Sequence, residues 1–244
     1  MMKMSQSANR RREHPATHPA ADTKTRILDA AEELFTKHGF EATTLRLITA
    51  AANVNLAAAN YHFGSKEDLF QAVLSRRLDP MNRERVELLD KYERTAASNG
   101  APAVLTSEKI LSAMFLPALR LARDHERGGK NFLRLLGRAY ADPAPFIRQF
   151  LSQQYAGMVV RFRAAFERAL PHLSHDELSW RLHFVMGALS YTLAGTDVLK
   201  LIAHYQPGSN DVLLLRRLAP FLAAGLNSPA TQTGEVHQLF PEAG

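Results

Sequence analysis

Residues Asn53–Phe70 read NVNLAAANYHFGSKEDLF. Asn53 marks a turn, because asparagine is one of the few non-glycine residues that tolerate positive φ. Asn55 supplies an N-cap for a short helix that runs to about His62, and Gly64 breaks it. Ser65 followed three residues later by Asp68 resembles a capping box. It opens a long helix through Leu69, Val73 and Leu78 to about Arg94. The alanine run and the Asn-Tyr-His-Phe cluster are unusual for a helix between two turns, and the flanking residues explain them.

Upstream, Ile27, Leu28, Ala31, Leu34 and Phe35 fall at i, i+1, i+4, i+7 and i+8, one apolar stripe of a helix. Asp22 or Thr23 is expected to cap its start, and Gly39 to stop it in the left-handed region. Thr43 and Thr44 offer an N-cap for a second short helix carrying Leu47, Ile48 and Ala51. Helix, turn and helix after a preceding helix, within some fifty residues, is a helix-turn-helix pattern. The run TRILDAAEELFTKHGFEATTLRLITAAANVNLAAANYHFGSKEDLF resembles the N-terminal domain of TetR-family transcriptional regulators. The landmarks are ILDAAEELFTKHGF, TTLRLIT and YHFGSKEDLF. The later segments FLRLLGRAY, RLHFVMGAL and FLAAGL are similar to the fatty-acid-responsive PsrA-type branch.

The resemblance implies that the helix after Asn55 enters a DNA major groove with its N-terminal residues at the base edges. Leu56, Ala57 and Ala58 would face bases through apolar contact, with hydrogen bonding left to Asn55, Asn60 or Arg46. Tyr61, His62 and Lys66 resemble the family's phosphate-anchoring set, and Thr43, Thr44 and the amides after Ser65 suit the same purpose. Two positions depart from the pattern. Asn53 stands where many members have a turn glycine. Asn60 stands where many have a phosphate-contacting tyrosine, which moves that expectation to Tyr61. Phe63 is expected in the three-helix core.

Charge alone does not announce a nucleic-acid binder. The 244-residue chain has a formal charge of +6, yet residues 23–70 carry five basic and six acidic side chains. The placement of single charges must therefore carry any DNA contact. The Arg10-Arg11-Arg12 run lies in a polar segment, residues 1–22, read as a disordered basic arm. Without cysteine there is no disulfide framework and no thiolate chemistry. No apolar run approaches membrane length and no secretory h-region is present, so the cytoplasm is the expected location, with no membrane partner. No G-x-S-x-G, P-loop or H-E-x-x-H motif occurs. The pairs His14/His18 and His172/His175 lack further ligands. The expectation is no enzyme, no cofactor and no metal.

Beyond residue 70 the pattern is helical throughout, giving an all-α fold: residues 23–70 as a helix-turn-helix domain, 71–227 as a larger helical ligand-binding and dimerisation domain, and 228–244 as a flexible tail. Residues 95–107 read as a loop, followed by helical blocks near 107–126, 130–141, 143–170, 175–205 and 209–225. Pro117 should kink its helix and open space. Phe115, Phe132, Tyr140, Phe146, Phe150, Tyr155, Met158, Phe162, Phe166, Trp180, Phe184 and Met186 recur at helical spacing. They suit a core, or the walls of an apolar pocket. Arg134, Arg138, Arg148 and His183 are candidates to meet a carboxylate head group.

Gly187, Tyr191 and Gly195 fall at i, i+4 and i+8, with Ala188, Ala194 and Val198 beside them. A second apolar face carries Leu213, Leu214, Leu218, Phe221 and Leu222. Two such helices per subunit would form an isologous four-helix dimer contact. A dimer suits a pseudo-palindromic operator. The resemblance implies a repressor released by a small hydrophobic effector such as a fatty acid or acyl-CoA. The alternatives are the same fold answering a non-lipid aromatic or amphipathic ligand, and an architectural DNA binder without an effector. The size and aromatic content of the C-terminal part argue against the latter.

Overall fold

The computed structural model describes residues 19–98, 104–124, 128–194 and 211–230. They form nine α-helices: α1 Pro19–Ala42, α2 Leu45–Ala51, α3 Leu56–Phe63, α4 Lys66–Ser98, α5 Ser107–Arg123, α6 Gly129–Ala141, α7 Pro145–Ala169, α8 His175–Ala194 and α9 Asp211–Asn227. No strand occurs among the described residues. Residues 1–18 of the expected arm and 231–244 of the expected tail lie outside them, as do Gly195 and Val198.

The helix boundaries follow local chemistry. α1 starts before Asp22 and Thr23, so neither caps it; Asp22 sits in the first turn, 3.9 Å from Arg26. Gly39 interrupts α1 with φ 80° and ψ 174°, positive in φ but extended in ψ rather than left-handed helical. Thr44 caps α2 by accepting from the Leu47 amide at 3.2 Å, and Asn55 caps α3 by accepting from the Ala58 amide at 2.7 Å. Between them Asn53 has φ 51°, the one positive-φ non-glycine residue among those described. The Arg26 guanidinium donates to the carbonyls of Ala52 and Asn53, so α1 holds the α2–α3 turn. At α4 the Ser65 hydroxyl accepts from the Asp68 amide at 3.0 Å and donates to its carboxylate at 2.6 Å.

α4 passes through residue 70 without a break and is about 50 Å long for its 33 residues. Residues 95–98 are helix rather than loop: the hydroxyls of Thr95 and Ser98 bond back to the carbonyls of Lys91 and Arg94, both at 2.9 Å. Pro80 and Pro117 lie inside α4 and α5, and helical dihedrals continue past both.

The N-terminal core is aromatic. Phe35, Phe40 and Phe70 pack with ring centroids 5.0–6.0 Å apart. Phe146 of α7 completes this cluster, 4.8 Å from Phe40 and 6.2 Å from Phe70. The seam continues where Glu32, nearly buried on α1, takes Arg76 and Arg77 of α4. Arg138 of α6 donates to the Thr36 carbonyl at 2.6 Å. α6 leans on α8, and α4 on α5 and α7. Gly129 opens α6 against α5: a Cβ there would lie 1.9 Å from the Leu121 carbonyl oxygen. The end of α9 is collared by buried Arg181 of α8, which donates to the carbonyls of Gly225, Leu226, Ser228 and Pro229 at 2.7–3.1 Å and pairs with Glu177 at 2.8 Å.

Candidate nucleic-acid interface and effector core

α2 and α3 present a polar and small-residue face. Thr44, Arg46, Asn55, Leu56, Ala57 and Asn60 are exposed, and Tyr61 is 86% exposed at the end of α3. Leu47 and Ala51 also point outward. Ala58 and His62 are half-buried; Ala59 faces the core. His62 packs edge-on against Tyr61 at 5.2 Å. Phe63 is half-buried against the core with the Lys24 ammonium over its ring. With the turn pinned by Asn53 and Arg26, the first turn of α3 is a narrow, unbulky edge that fits a major groove.

Three of the groups expected at phosphates are engaged within the chain. Thr43 is fully buried, and its hydroxyl donates to the Gly39 carbonyl at 2.7 Å and to the Leu34 carbonyl at 3.3 Å, satisfying the end of α1. Lys66 is half-buried: its ammonium donates to the Phe40 carbonyl at 3.1 Å and sits 4.0 Å from the Phe40 ring centroid. The first turn of α4 already holds Glu67 and Asp68, whose negative charge sits at that helix N-terminus, and the Asp68 amide donates to the Ser65 hydroxyl. The acidic balance of residues 23–70 is nonetheless offset. Asp29 and Glu32 pair with Arg76 and Arg77 on α4, outside that segment.

In the C-terminal domain Phe115, Phe132, Phe150, Tyr155, Met158 and Phe162 are buried, while Tyr140, Met186 and Arg134 are half-buried. The Tyr140 and Tyr155 hydroxyls share a hydrogen bond. Burial raises the Tyr140 phenol well above the usual tyrosine range; Tyr155 adds to the rise and nearby Arg85 partly offsets it. The proposed head-group residues do not gather here. Arg138 is held on Thr36, Arg148 donates to the Pro143 carbonyl at 2.6 Å, and His183 is exposed between Trp180 and Phe184. Instead Arg85 occupies the interior, only 2% exposed. Sequence reading missed it, although it sits on the apolar stripe of Leu74, Leu78 and Leu89.

Cavities lie around this core. One of about 380 Å³ is walled by Leu111, Phe115, Leu116 and Leu119 of α5 and by Ala219, Pro220 and Ala223 of α9. Another of about 360 Å³ lies between α4 and α5, lined by Pro80, Met81, Pro117 and Leu121 together with the charged Arg76, Arg77, Glu84, Arg120 and Asp124. A cleft of about 530 Å³ at the α1–α4–α6 seam is lined by Asp29, Glu32, Arg76 and Arg77, an ion-paired wall unsuited to an apolar ligand.

α8 carries an outward aromatic stripe. Trp180 and Phe184 are 61% and 62% exposed, so they do not line a cavity. With Gly187 and Tyr191 they fall at i, i+4, i+7 and i+11, extending the expected small-residue stripe backwards. On α9 Phe221 is 71% exposed and Leu218 is half-buried. Ala194 and Leu214 lie on α8 and α9, their side chains outside the described residues. Among the described residues there is no cluster that could hold a metal, and no helix is long and apolar enough to cross a membrane.

Residues 27–73 match the family described as bacterial regulatory proteins, tetR family, and residues 112–225 match the tetracyclin repressor-like C-terminal domain. The dual regulator CecR of Shigella flexneri is 26% identical over 79% of this chain and 75% of its own. Other curated regulators match over 28–56% of their own length. Among solved structures, FadR from Bacillus subtilis in complex with stearoyl-CoA superposes with a TM-score of 0.60, at 16% identity over 82% of this chain and 98% of that one. The SmeT–triclosan complex superposes at 0.55, with 23% identity over 86% and 96%.

Proposed function

Since the chain belongs to the TetR family of transcriptional regulators, DNA-binding proteins rather than enzymes, we propose that it is a cytoplasmic homodimeric repressor released from operator DNA by a small hydrophobic effector. The observation that carries this reading is the exposed first turn of α3, fixed on a rigid turn and joined through one aromatic cluster to a helical domain with an apolar interior. Leu56, Ala57 and Asn60 read base edges; Arg46 and Tyr61 flank them, with Thr44 and Tyr61 at phosphates. Two recognition helices, related by the two-fold axis of a dimer formed through α8 and α9, span a pseudo-palindrome.

The effector enters between the C-terminal helices and favours a spacing of the two α3 helices that no longer fits the operator. It shifts the balance only by its different affinity for the two states, typically ~1–3 kcal/mol. A fatty acid or acyl-CoA is the effector this reading favours. The PsrA-like segments, the apolar interior and a fold shared with a regulator solved with stearoyl-CoA support it. The second reading, an aromatic ligand, draws on the aromatic lining of the core and a fold shared with a regulator solved with triclosan.

Duplexes selected from a random pool by the purified protein should contain inverted repeats, bound with a strong salt dependence. Saturating long-chain fatty acid or acyl-CoA should then lower affinity about 5- to 150-fold by fluorescence anisotropy. Unchanged affinity with every lipid rejects the lipid effector. Failure to select any duplex rejects the regulator.

A further inference from the structure

Arg85 is a buried cation without an anion. Its Nε donates to the Met114 carbonyl at 2.9 Å and its Nη1 to the Asn82 side-chain oxygen at 2.9 Å; the Met158 sulfur lies 3.9 Å from Nη1. Each of these partners is neutral. Of the carboxylates around it on α4, Glu87 is exposed and is not among the groups bonded to Arg85, Glu84 pairs with Arg120, and Asp90 and Glu93 pair with Arg161. The other deeply buried arginine, Arg181, has Glu177. Beside Arg85, Asn82 is 9% exposed and its Nδ2 has no hydrogen-bond partner among the described residues. A buried guanidinium without a counter-ion is costly.

An unneutralised guanidinium, an unpaired amide donor and a pair of phenol hydroxyls, beside Met114 and Met158, form a polar cluster inside an apolar interior. Met81, in the lining of the 360 Å³ cavity, precedes Arg85 by one helical turn, and Pro117 follows Met114 by about one. Pro80 and Pro117 each remove a backbone amide donor from the facing helices at that level.

Building on the effector reading above, we propose that Arg85 and Asn82 receive the carboxylate of the effector, which is therefore a free organic acid with an apolar body rather than its thioester. The carboxylate accepts from the guanidinium, beside the Tyr140 hydroxyl that Arg85 also faces, and from Asn82 Nδ2, and its charge neutralises Arg85. A thioester or ester carbonyl is neutral and leaves the cation uncompensated.

The test uses the full chain with dodecanoate, methyl dodecanoate and dodecanoyl-CoA, followed by calorimetry and thermal unfolding. Wild type should bind dodecanoate about tenfold or more tighter than the methyl ester. Arg85→Met keeps the side-chain volume and removes the charge. It should lose that preference through weaker acid binding and bind the ester as wild type does, with a cooperative unfolding transition showing that it folds. Equal binding of acid and ester by wild type, or an undiminished preference in Arg85→Met, overturns the carboxylate site while leaving the effector reading intact. Tight binding of dodecanoyl-CoA alone overturns the free-acid assignment. Binding of none of the three overturns the lipid-effector reading and this site with it.

Discussion

Thr43 and Thr44 are adjacent, chemically identical and put to opposite uses. Thr43 is turned inward to close α1, whereas Thr44 is exposed and caps α2. Thr43→Val should therefore lower stability by about 1–3 kcal/mol in denaturant titrations, because it strands buried carbonyls. Tyr61→Ala should behave in the opposite way. At 86% exposure its loss should change stability by less than about 0.5 kcal/mol. It should weaken operator binding on every operator variant alike, as a phosphate contact does. A loss confined to one operator sequence would move Tyr61 to base reading. At this scale the sequence was legible where a residue's own backbone preference decides, as at Asn53, Asn55 and Gly64. It was silent where a partner far along the chain decides. Nothing local says that Lys66 folds onto Phe40, that Arg26 holds the α2–α3 turn, or that Arg85 points inward.

Among the helices, periodicity located each described element to within a few residues. The errors fell at ends, where local hydrogen bonds compete with loop composition. The hydroxyls of Thr95 and Ser98 extend α4 by serving the helix they were expected to leave. Two contacts between elements give sharp tests. Gly129→Ala drives a methyl group into the Leu121 carbonyl and should cost about 1–3 kcal/mol, read as an earlier urea midpoint. An unchanged midpoint would mean that the α5–α6 connection yields freely. Arg181→Met removes the guanidinium that serves four carbonyls at and just past the end of α9 and should cost about 2–3 kcal/mol. Amide hydrogen exchange should rise first in the last turn of α9; uniform acceleration would point to a global effect instead.

For the whole molecule, the aromatic stripe of α8 is the feature that a monomer leaves unexplained. Trp180 and Phe184 stand in solvent with Tyr191, and Phe221 of α9 stands in solvent as well. A surface of this kind marks an interaction site. The double change Trp180→Glu and Phe184→Glu should yield a monomer in sedimentation equilibrium with unchanged helical circular dichroism and little operator affinity. A dimer that survives both charges would move the interface off α8. This half of the proposed interface is marked in the sequence by a stripe of small residues. Its aromatic continuation was obscured because bulky apolar residues look alike in sequence whether they face a core or a partner.

Phe146 carries a practical corollary. Its ring is a wall of the N-terminal core, supplied from more than seventy residues downstream of Phe70. A fragment trimmed to the DNA-reading helices would leave Phe40 and Phe70 uncovered on one side. Such a piece is a poor candidate for grafting onto another regulator unless the first turn of α7, or a substitute ring in its place, travels with it.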